Sequence, residues 1–82
     1  MTLTRSPRYR QFLARLRAAR LEAGLTQAQA AGALYEPQSF LSKCESRERR
    51  VDVVELERFA KLYAKPFSHF LPELGAGSSR RS

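Results

Sequence analysis

Four hydrogen-bonding side chains, Gln38, Ser39, Ser42 and Lys43, fall one helical turn apart in the segment 37–45. Groups of this kind suit the exposed edges of bases. Glutamine can bond adenine bidentately, and lysine can reach O6 and N7 of guanine. Phe40, Leu41 and Cys44 take the opposite side at i, i+1 and i+4, so the segment would have one wet face and one buried face. Other chemistry has little to work with. The chain holds one histidine, His69, and one cysteine, Cys44, too few for a protein-built zinc site. There is no glycine-rich phosphate loop, no G-x-S-x-G elbow and no paired carboxylates, so neither an enzyme nor a bound cofactor is expected. Cys44 lies on the apolar side with no basic cluster beside it, which marks a buried structural thiol. His69, in an aromatic-rich stretch, reads as a packing residue.

Charge points to a polyanionic partner. Lysine and arginine total 15 against 8 acids, a formal net charge of +7, and each phosphate neutralised by such groups releases a condensed counterion. Charge thus favours nucleic acid without identifying it. The 82 residues make one small domain, a size that buries only about 60% of its unfolded surface. A lone cysteine excludes an internal disulfide, which leaves oligomerisation as the common aid to stability. No apolar run approaches the roughly 18 residues of a membrane span, and the N-terminus has no secretory apolar core. A cytoplasmic protein with no membrane contact is expected.

Helices must position these groups. Tyr9, Phe12, Leu13, Leu16 and Ala19 form one stripe at helical spacing, predicting a helix over 7–23 with Ser6 as cap, Pro7 first and Gly24 as its left-handed stop. Thr26 and Gln29 form a T-x-x-Q capping box for a second helix over 27–34. Its alanines, Ala28, Ala30, Ala31 and Ala33, allow close approach of a neighbour. Pro37 opens a third helix over 37–45. A polar, basic loop covers 46–51. Asp52 and Glu55 start a fourth helix, placing Val53, Leu56, Phe59, Ala60 and Tyr63 on one face, and Lys65-Pro66 ends it. A short fifth helix spans 67–71. Residues 1–5 read as a flexible N-terminus, 6–74 as the domain, and 75–82, Gly/Ser-rich with Arg80 and Arg81, as a disordered basic tail. No segment alternates like a strand, so the fold class is all-α with five helices.

Two short helices joined by a three- or four-residue turn in a basic all-α domain form a helix-turn-helix arrangement, in which the second helix enters the major groove. The spaced set Leu25-Thr26-Gln27, Ala31, Leu34, Pro37-Gln38-Ser39, Leu41-Ser42-Lys43 and Glu45, continued by 49–56, resembles the Xre/Cro-repressor family of helix-turn-helix regulators over roughly residues 16–74. The resemblance implies a lambda-repressor-like domain that binds double-stranded DNA as a homodimer. It implies base reading by Gln38, Ser39 and Lys43, with Ser42 among them, and phosphate contact by Gln27, Ser46 and Arg47. Arg20 and Arg50 are added as phosphate ligands on charge and position. Three departures stand out. The family's usual turn glycine is Tyr35 here, its glycine after the third helix is Arg47, and a customary leucine in the second helix is Ala30. The first two place side chains where positive φ is expected, so strain is expected in the turn.

A sequence-specific regulator on a palindromic operator is the leading reading. It includes repressors of phage type, controller proteins of restriction-modification systems and DNA-binding antitoxins. A protein-interaction module of the same fold, acting through a partner protein, is the alternative. Phe67, Phe70, Leu71 and Leu74 either close the core or build a two-fold interface that sets two reading helices one DNA turn, about 34 Å, apart.

Overall fold

The computed structural model describes residues 7–70. It contains five helices: α1 Pro7–Glu22, α2 Gln27–Ala33, α3 Gln38–Glu45, α4 Val53–Tyr63 and α5 Phe67–Phe70. No strand occurs among the described residues, and none of their helices is long and apolar enough to cross a membrane. Ser6, Leu71, Leu74 and the two terminal segments lie outside the described residues.

Local chemistry sets the helix starts. Thr26 Oγ1 accepts from Gln29 N at 3.0 Å while Gln29 Oε1 accepts from Thr26 N at 2.9 Å, so the expected capping box opens α2. Asp52 and Glu55 make the same reciprocal pair at 2.7 and 3.1 Å, opening α4. Pro37 has extended backbone and precedes α3 as its cap, so the helix begins one residue later than expected, at Gln38.

Three helix exits share one geometry. After α1, Gly24 N donates to Leu21 O and Leu25 N to Arg20 O, the paired bonds of a Schellman motif, with Gly24 at φ +76°. After α2, Tyr35 N donates to Gly32 O and Glu36 N to Ala31 O. After α4, Ala64 N donates to Lys61 O and Lys65 N to Ala60 O. The left-handed residue in these two cases is Tyr35 and Ala64, each at φ 59°. Arg47, past α3, is left-handed too, at φ 75°. Tyr35 and Arg47 thus hold the positive φ expected where the family has glycine, and Ala64 adds a third case that no glycine replacement had marked.

The core gathers Phe12, Leu16 and Ala19 of α1, Ala30 and Ala31 of α2, Leu41 and Cys44 of α3, and Leu56, Phe59 and Tyr63 of α4, with Phe70 closing it. Phe40 stacks on Phe59 and Phe59 on Tyr63, at centroid separations of 6.1 and 5.8 Å. Phe70 meets Phe12 edge-on at 6.4 Å, and His69 packs edge-on against Phe70 at 5.3 Å. The buried face of α4 departs from expectation at one end. Val53 stands 69% exposed, and the buried row of α4 starts one turn later, at Leu56.

Candidate nucleic-acid interface

The backing of α3 comes first. Leu41 and Cys44 are fully buried, and Phe40 is half-buried against the core. Burial pushes the Cys44 thiol up to about 11, consistent with a structural thiol that stays protonated. With that side committed to the core, Gln38, Ser39, Ser42 and Lys43 all fall on the exposed side. Ser39, Ser42 and Lys43 follow the i, i+3, i+4 spacing of one stripe, with Gln38 one turn before Ser42. None of the four side chains forms a hydrogen bond or ion pair among the described residues. They are available to an outside partner.

The loop after α3 extends this surface. Ser46 is exposed, and its Oγ donates to Lys43 O at 3.3 Å. Arg47 and Arg50 are exposed and form no ion pair among the described residues. Arg49 behaves differently: it pairs with Glu55 and lies over the Phe40 ring, 4.9 Å from the centroid. The acceptor is the same Glu55 that closes the α4 capping box. Arg49 thus fastens the loop to α3 and α4.

Arg20 requires a correction. It is 5% exposed, not a surface group near the end of α1. Its Nε donates to Glu45 Oε2 at 2.7 Å, its Nη2 to Glu45 Oε1 at 3.1 Å, and its Nη1 to Leu25 O at 2.9 Å. These are the strong bidentate bonds of a guanidinium and carboxylate, and bonding to Glu45 raises the Arg20 pKa further. Three of its five N–H donors are spent inside the protein and the side chain is almost fully covered, which removes it from the surface a phosphate would meet. Gln27 joins the cluster, donating Nε2 to Glu45 Oε1 at 3.1 Å while remaining half-buried. One carboxylate at the last residue of α3 therefore joins α1 and α2, while Arg20 adds the α1–α2 turn through Leu25 O.

Arg58 of α4 was not singled out by sequence. Its Nη1 donates to Glu36 Oε2 at 3.2 Å and its Nη2 to Leu34 O, reaching the turn between α2 and α3. The 22 and 24 residues that separate these partners leave no local signal. Among the described residues no group of three His, Cys, Asp or Glu side chains could hold a metal ion.

Two short helices, a tight turn, and a second helix buried on one side and unengaged on the other define a helix-turn-helix domain, a class that binds DNA. The profile of the family described as "Helix-turn-helix domain" matches residues 11–66, and the chain belongs to that family. No curated protein matches the chain.

Proposed function

We propose that this protein is a sequence-specific transcriptional regulator of Xre/Cro type, which binds a palindromic operator as a homodimer with α3 in the major groove. Gln38, Ser39, Ser42 and Lys43 read base edges. Gln27, Ser46, Arg47 and Arg50 hold the flanking phosphates. The observation that carries this reading is the unengaged exposed face of α3 between a fully packed opposite face and an arginine-bearing loop. The dimer is supported by Phe67, 47% exposed, which shares a shallow, open surface depression with Ala60, Ala64, Glu57, Lys61 and Lys65.

Fluorescence anisotropy on duplexes from upstream of the protein's own gene, against scrambled duplexes across a salt series, tests it. A preference that survives rising salt is expected, since phosphate contacts alone weaken together as counterions are added. Gln38→Ala and Lys43→Ala should each cost about 1–3 kcal/mol on the operator and little on scrambled DNA. Arg47→Ala should weaken both alike and lower the salt slope by about one. Equal losses on both duplexes for Gln38→Ala would remove it from the reading set. A monomer at tens of micromolar by ultracentrifugation, free and on DNA, would defeat the homodimer.

A further inference from the structure

The turn that launches α3 is closed by backbone hydrogen bonds but draws little side-chain support from its own residues. Pro37, the cap, makes no side-chain bond to the helix it precedes, and Tyr35 sits left-handed at φ 59° where a side chain is unfavourable. Leu34 O is among the last carbonyls of α2, which have no acceptor role left within the helix. Among the described residues, the side-chain hydrogen bonds reaching residues 34–37 come from one group, the Arg58 guanidinium. It takes Leu34 O with one nitrogen and the Glu36 carboxylate with the other, so it grips the residues on both sides of Tyr35. Its own backbone is anchored in α4 next to Phe59, which is fully buried and stacks on Phe40 of α3.

We propose that Arg58 is a positioning residue for DNA reading: a two-point brace from α4 that sets where α3 starts, and so where Gln38 and Ser39 meet the bases. The proposal rests on the DNA-reading function above. A planar guanidinium spans two acceptors at once, whereas a lysine ammonium is a point charge on a flexible stem. Charge alone therefore does not substitute for the brace.

The test pairs Arg58→Lys, which keeps the charge, with Arg58→Met, which removes it, and adds Glu36→Gln, which weakens one arm only. Hydrogen exchange on the free protein needs no DNA. The Tyr35 and Glu36 amides, which bond Gly32 O and Ala31 O, should exchange at least about tenfold faster in both Arg58 variants, with a smaller rise in Glu36→Gln. The Leu25 amide, which bonds Arg20 O, should keep its wild-type rate, separating a loosened turn from general unfolding. On DNA, Arg58→Lys should lose about tenfold on the operator and less than twofold on scrambled duplex. Wild-type exchange at Tyr35 and Glu36 in both variants overturns the brace. Full operator affinity in Arg58→Lys with loss in Arg58→Met overturns it too, assigning Arg58 to a plain charge contact. If wild-type protein shows no sequence preference at all, the DNA-reading function fails by itself, and the exchange rates alone decide the brace.

Discussion

Replacing Tyr35 by glycine should stabilise the protein, although it deletes a large aromatic side chain. Tyr35 is 95% exposed, so its ring buries almost nothing to be lost. Its backbone is what matters: at φ 59° an L-residue crowds its Cβ against the following carbonyl, at a cost of about 1–2 kcal/mol that glycine does not incur. Glycine's greater freedom in the unfolded chain returns part of that gain, roughly 0.4–1 kcal/mol. The net is a gain of about 1 kcal/mol, which for a domain of this size raises Tm by about 4–8 °C. Thermal melts followed by circular dichroism measure it, with two controls run alongside. Tyr35→Ala removes the ring and keeps the Cβ, and should melt close to wild type. Gly24→Ala puts a Cβ at φ +76° where no atom lies within 4 Å, so any loss there, about 1 kcal/mol, is backbone strain alone. A Tyr35→Gly protein melting at or below wild type, while Gly24→Ala melts lower, would refute the assignment of strain to this turn.

Three further outcomes follow from the interior. Arg20→Met leaves Glu45 buried without its cation and should cost about 3–5 kcal/mol, read as a large drop in urea midpoint; a loss under 1 kcal/mol would mean the pair is not enclosed. Tyr63→Phe should be neutral or stabilising by up to about 1 kcal/mol in the same assay, because the Tyr63 hydroxyl is buried and finds no hydrogen-bond partner among the described residues. Cys44 carries a pKa raised from the ordinary 9.0 to about 11 by burial. A raised acid pKa favours the protonated fold, so its contribution is complete below pH 9 and is lost as pH climbs from there through about 11. Cys44→Ala should flatten the stability profile across that window, and a profile as steep as wild type would contradict it.

Much of the architecture was legible because its signals are local. Thr26 with Gln29, and Asp52 with Glu55, satisfy each other across three residues, so each capping box marks a helix start wherever the rest of the chain goes. Gly24 announces a left-handed exit for the same reason. The two faces of α3 follow from helical spacing alone, which is why Gln38, Ser39, Ser42 and Lys43 emerge together on the exposed side. What escaped depends on partners far along the chain. Arg20 looks like any surface arginine until Glu45, 25 residues on, encloses it. Arg58 acquires its meaning only when α4 lies across the turn. Ala64 gave no warning, since alanine has no preference for positive φ and the conformation is imposed by Lys65 N and Ala64 N closing onto α4. Val53 was assigned to the core by periodicity, which fixes a direction around the helix axis but not how far along it the neighbours extend.

Among the described residues, none of the four side chains on the outer face of α3 bonds to another part of the protein. Substitutions at such exposed positions usually shift stability by no more than about 0.5 kcal/mol. Gln38, Ser39, Ser42 and Lys43 can therefore be exchanged in combination without first compensating the fold, and a library randomised at these positions alone should remain largely folded. Under the proposed DNA-reading role, the target sequence becomes an interchangeable property of the protein, free to drift in evolution or be rewritten by selection, while the Glu45 cluster and the packed side of the same helix keep every version in one shape.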